Sequence, residues 1–161
     1  MISFKKHSEI YTLETQQELR IPLEKTWSYF SSPENLAKIT PPKMGFDITC
    51  KVDKKAYQGQ IITYKVSPIP FIKTNWVTEI TQVKELCFFI DEQRFGPYSM
   101  WHHEHWFEEL ANGNTLMKDK ISYKIPFGLL GHLAQRLFIK KQLRAIFDYR
   151  YITLEKMFNG K

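Results

Sequence analysis

The chain has 161 residues, a length that ordinarily forms one domain, and its 43% hydrophobic and 25% charged content excludes a disordered polypeptide. Its net charge of +6, from 23 Lys plus Arg against 17 Asp plus Glu, is scattered rather than gathered on one stripe, which argues against nucleic-acid binding. No stretch approaches the ~20 apolar residues that cross a bilayer, and the start, MISFKKHSEIYTLE, carries no signal-peptide pattern, so a cytoplasmic protein without stable membrane insertion is expected.

Residues 9–20 alternate apolar and polar at Ile10, Tyr11 or Thr12, Leu13 and Leu19, which predicts a first strand. Pro22 then opens a short helix through Leu23, Trp27 and Phe30. Ser32, as cap, and Pro33 open a second helix through Leu36 and Ile39, which Pro41-Pro42 ends. Strand patterns follow at 46–52, 60–66, 73–83, 86–95, 100–110 and 115–125. Pro68 and Pro70 separate the second of these from the third, with Phe71 beside them in a loop that could gate a pocket. Gly96-Pro97-Tyr98-Ser99 and Ala111-Asn112-Gly113-Asn114 are turns, so the strands pair as antiparallel hairpins. From Gly128 to about Phe158 there is no proline, and Leu130, Leu133, Ala134 and Leu137, then Leu143, Ile146, Phe147, Leu154 and Met157, form an apolar stripe. Such a helix spans roughly 45 Å and needs a broad sheet to cover. Cys50 and Cys87 are far apart and fit no metal-binding spacing; in the expected compartment they are reduced thiols.

The order of one strand, two short helices, six strands and a long final helix resembles the START-like, or SRPBCC, superfamily. Asp91-Glu92-Gln93, Gly96-Pro97-Tyr98, and Trp101, His103, His105 and Phe107 at alternate positions resemble a bacterial ligand-binding subgroup of it, as do Gly113 with Thr115, Asp119, Tyr123, Pro126 with Gly128, and Phe147 through Tyr149-Arg150. The resemblance covers essentially the whole chain, 1–161, as a single ligand-binding domain. It implies an α+β helix-grip fold: a curved antiparallel sheet of about seven strands around a long C-terminal helix, with a cavity between them.

Folding the hairpin symmetrically about Gly96-Pro97 pairs Phe95 with Trp101, Gln93 with His103, Asp91 with His105 and Phe89 with Phe107, all on one face. Glu92, Arg94, His102, Glu104, Trp106 and Glu108 fall on the other, solvent-facing side. The first face, with Tyr64, Trp76 and Thr78 from neighbouring strands, is the expected ligand-binding wall: apolar, with a small polar cluster. Asp91, His103 and His105 are also the candidates for acid–base catalysis, with Asp91 orienting His105. An internal hydrogen-bond network under the helix accounts for the same residues without any ligand. Two histidines and a carboxylate on one hairpin are thin material for a metal site, and neither metal nor cofactor is expected. Arg150, in an apolar stretch of the last helix, would meet a carboxylate such as Asp119 or an acidic ligand group.

The leading expectation is binding, with transport or sequestration, of a small hydrophobic or amphipathic molecule. The alternatives are a cyclase-, dehydratase- or isomerase-type enzyme using the Asp–His pair, and an interaction or stress-response module whose cavity is filled.

Overall fold

The computed structural model describes residues 2–69 and 72–160. Pro70 and Phe71, and with them the heart of the suggested gating loop, lie outside the described residues. The strands are β1 (Ser3–His7), β2 (Ile10–Leu19), β3 (Asp47–Ile48), β4 (Ile61–Ile69), β5 (Ile72–Lys84), β6 (Phe88–Phe95), β7 (Met100–Glu109) and β8 (Thr115–Lys124). They form one antiparallel sheet in the order β1-β2-β8-β7-β6-β5-β4-β3. Helices α1 (Leu23–Phe30) and α2 (Pro33–Leu36) follow β2. The final helix, α3, runs from Gly128–Ala134 through a wide π-type turn at Gln135–Ile139 and an α segment at Lys140–Leu154 to a second wide turn at Glu155–Asn159.

Several local expectations are corrected. The sheet has eight strands rather than about seven, because Ser3–His7 pairs with β2. That edge strand leaves Lys5, Lys6 and His7 exposed, so it shows little apolar alternation, and Lys5 binds Glu14 across the ladder at 2.6 Å. The 46–52 strand shrinks to Asp47–Ile48. Pro68 does not end its strand: β4 continues to Ile69, and the register shifts between Val66 and Ile69, where a missing N–H is tolerated. In β2 the inward residues are Leu13, Gln17 and Leu19, with Tyr11 half-buried, and Ile10 faces outward. Ser32 precedes α2, but its side chain makes no capping hydrogen bond.

The largest correction concerns the start of α3. Leu130, Leu133 and Leu137 are 74%, 54% and 61% exposed, and Ala134 also faces outward. The helix docks through Gly131 and Gln135 instead. Gly131 lies so close to the Pro126 carbonyl that a Cβ there would collide with it. Gln135 Nε2 donates to the buried Tyr123 hydroxyl at 2.7 Å. A close backbone approach and a buried hydrogen bond thus outweigh the leucine stripe. Further along, Leu143, Phe147 and Leu154 are buried as expected, whereas Met157 is exposed.

Two packed groups hold helices to sheet. Trp27 of α1 stands edge-on against Phe89 and Phe107, with ring centroids 6.1 and 5.8 Å away. Leu13, Ile121 and Tyr123 meet Leu143 and Phe147 of α3.

Two variants check this packing. Trp27→Ala is expected to cost about 3–5 kcal/mol in urea unfolding, the range for removing a buried aromatic. Gly131→Ala, a change that ordinarily favours a helix by roughly 1 kcal/mol, is expected to destabilise here; a raised melting temperature would disprove the close approach.

Candidate functional site

The β6–β7 hairpin carries the site, in a register that differs from the symmetric one. Asp91 lies opposite His103, and Phe89 opposite His105, a shift of two residues. Because side chains alternate with period two, the shift leaves the faces unchanged. His103 and His105 are each 6% exposed, and Phe89 and Phe107 are buried beside them. The outer face carries a His102–Glu92 hydrogen bond (2.8 Å) and ion pairs of Arg94 with Glu79 (2.6 Å) and Lys120 with Glu104 (2.8 Å). The wider loop leaves Phe95 mostly exposed and off the inner face. Gln93 turns to the loop itself, donating to the Tyr98 carbonyl at 2.7 Å and accepting from its N–H at 3.2 Å. It packs against Gly96, where any Cβ would meet the Gln93 amide.

A cavity of about 180 Å³ lies between sheet and α3. Of the residues expected on its wall, Tyr64, Trp76, Thr78, Phe89, Asp91, Trp101, His103 and His105 line it. Gln93 and Phe107 are not among the lining residues; Phe107 packs beneath, against Trp27 and Phe30. Leu143, Ile146, Phe147 and Arg150 of α3 form the roof, and Phe30, Leu36 and Ile39 close one end. The Tyr64 hydroxyl is held to Thr78 Oγ1 at 2.6 Å, and Trp76 is stacked on Tyr64 and edge-on to Trp101. The Trp76 indole N–H is buried and has no hydrogen-bond partner.

The polar cluster is assembled by three adjacent strands. Asp91 of β6 faces His103, and Asp119 of β8 lies directly across from His105. His105 Nε2 donates to Asp91 Oδ2 at 2.9 Å, and His103 Nδ1 lies 3.4 Å from the same oxygen. On the far side, His103 Nε2 lies 3.2 Å from Asp119 Oδ1 and His105 Nδ1 2.9 Å from it, the latter too poorly aligned for a hydrogen bond. The two imidazoles lie against each other, tilted by 41°, with centroids 3.7 Å apart. Arg150 Nη1 of α3 completes the cluster, 3.5 Å from Asp119 Oδ1, its guanidinium over the Phe147 ring.

Burial opposes charge throughout this cluster. For Asp119 the two imidazoles and then Arg150 outweigh burial and hold the carboxyl well below its usual range. Asp91 is held low in the same way, by His103 and His105. The rings divide: burial and then His105 push His103 down, whereas for His105 the two carboxylates overcome burial and raise it.

Asp119 is the residue that sequence reasoning left out of the site, although it had been paired with Arg150. The signal was present: in TLMKDKISYK, Asp119 shares the parity of Met117 and Ile121 and so is an acid on an apolar face. Such a residue is rarely buried without partners.

No protein-family model matches this chain, and no curated protein matches it by sequence. Solved structures do. A Thermus thermophilus protein is 14% identical, covers 90% of this chain and 94% of its own, and superposes with a TM-score of 0.66. Ara h 8.0201 is 12% identical, with 91% and 99% covered and a TM-score of 0.57. A Thalictrum flavum norcoclaurine synthase point mutant, solved with a transition-state analogue, is 12% identical, with 97% and 98% covered and a TM-score of 0.64. The protein thus has the helix-grip fold, the architecture of the START-like superfamily that its motifs resemble. At these identities the likeness carries the fold and no activity. Among the described residues, no helix is long and apolar enough to cross a membrane.

Two buried tyrosines give the pocket region an alkaline signature. Burial, then the Asp91 charge, pushes Tyr64 above the usual phenol value, and burial pushes Tyr123 up to about 12. Raised folded-state values contribute stability that is fully present below ~10, the unfolded value, and is lost as pH rises from there toward the folded values. Urea midpoints are expected to fall between pH 10 and 12, less steeply in Tyr123→Phe; an identical slope in that variant would remove Tyr123 as a cause.

Proposed function

We propose that this protein binds one small amphipathic molecule, an apolar body with one polar group, in the cavity between the sheet and α3. The observation that carries the reading is an aromatic-walled cavity with the Asp91, His103 and His105 side chains on its wall. The volume, about 180 Å³, is comparable with apolar cavities of ~150 Å³ that hold a benzene-sized molecule. Burial of the ligand's apolar surface, at ~25 cal/mol per Å², would supply most of the affinity. Transport or sequestration follows naturally from such binding.

Acid–base catalysis is the second reading, favoured by the 2.9 Å contact of Asp91 with His105. It is weaker because His105 Nε2 is already bonded to Asp91 and Nδ1 is buried beside Asp119, leaving neither open to a substrate. A filled, vestigial cavity is disfavoured by the volume that remains.

The test is displacement of an environment-sensitive apolar dye, paired with native mass spectrometry of the purified protein. Ile146→Trp, which adds bulk to the roof from a half-buried position, is expected to weaken dye binding at least tenfold, about 1.4 kcal/mol. Equal dye affinity in the folded variant, together with a clean unliganded mass, would defeat the proposal.

A further inference from the structure

The four ring nitrogens of His103 and His105 all face carboxylate oxygens, and only two oxygens receive them: Asp91 Oδ2 on the cavity side and Asp119 Oδ1 behind. A divalent cation on the cavity side would accept lone pairs from both rings and from the Asp91 carboxylate together, while Asp119 lies behind them beside the other nitrogen of each ring.

We propose that Asp91 Oδ2, His103 Nδ1 and His105 Nε2 form a binding site for a divalent transition-metal ion of the zinc type, with the remaining coordination position open to the cavity. Each of the three residues offers a ligand atom within 4.8 Å of the other two. The Asp91 oxygen is 2.9 Å from His105 Nε2 and 3.4 Å from His103 Nδ1. Two donors bound to one ion at about 2.1 Å stand roughly 3.0–3.4 Å apart in octahedral or tetrahedral coordination, so the carboxylate is already spaced from each ring as a shared ion requires.

The supporting shell carries the argument beyond the hairpin. Histidines that bind metals direct their other ring nitrogen to a carboxylate or carbonyl, which fixes the ring. Here one fully buried carboxylate, Asp119, faces the second nitrogen of both rings, and Arg150 of α3 anchors it. Asp119 does not line the cavity, whereas Asp91, His103 and His105 do, so the donors point inward and the support lies behind them. Two imidazoles and one carboxylate select zinc, iron, cobalt or nickel over calcium or magnesium, which require more oxygen donors. Held there, the ion would offer an open site to an oxygen or nitrogen atom of a molecule in the apolar cavity.

The test is calorimetric titration of chelator-treated protein with zinc chloride, with cobalt(II) chloride as an optical probe. One zinc equivalent is expected to bind saturably, and cobalt(II) is expected to give the visible bands of four- or five-coordinate nitrogen and oxygen ligation. Asp91→Ala and His103→Ala should lose binding, and Asp119→Asn should weaken it roughly 10–100-fold. His102→Ala, on the solvent face, should leave it unchanged. Absence of saturable zinc binding by the wild-type protein, or a cobalt spectrum no different from the hydrated ion, would overturn the site even if a variant fails to fold. So would zinc binding that survives His103→Ala and disappears in His102→Ala. The inference stands independently of the organic ligand, since a protein that takes up zinc but no apolar dye would retain the metal site and lose the proposed pocket function.

Discussion

The buried carboxylate of Asp119 is the point on which sheet, helix and site all depend. Its oxygen faces His103, His105 and Arg150 together, so it fixes β7 and α3 relative to β8. An isolated charge at 2% exposure would be strongly unfavourable. With three cationic or hydrogen-bonding neighbours it becomes a tie across the layers. Removing one neighbour would leave the charge uncompensated, so each of them is constrained by the others.

That tie also explains why the space under α3 remains partly empty. The polar cluster occupies the middle of the apolar inner face, between the groups around Trp27 and those around Tyr123. Aliphatic side chains cannot collapse onto it without burying unpaired polar atoms. The ring-walled volume beside it, bounded by Tyr64, Trp76 and Trp101, consists of stiff aromatic surfaces braced against one another and against Tyr98. Stiff walls hold a cavity open, whereas flexible ones would fill it.

The docking of α3 obeys the same logic at its other end. Gly131 and Gln135 give the helix its approach to Pro126 and Tyr123, and in doing so turn Phe127, Leu129 and Leu130 to the outside. From Lys120 to Phe147 the sequence has no acidic residue, so this stretch of chain supplies only cations beside its exposed apolar side chains. One face of the helix grips the sheet and the other is apolar and basic.

The sequence by itself determined the alternation of strands and turns, the long proline-free helix and the faces of the β6–β7 hairpin. These are local matters: period two or 3.6, proline, and the glycine and asparagine turns. They survived even a two-residue error in hairpin register, because that shift preserves parity. Tertiary structure alone decided what lies across the strands. Asp119 is 28 residues from Asp91 in number but one strand from His105 in space, and no pattern within either segment encodes that meeting. It decided the helix orientation as well, where one glycine contact and one buried hydrogen bond overruled a regular leucine stripe. Periodicity records which residues share a face; only the packed sheet determines what that face touches.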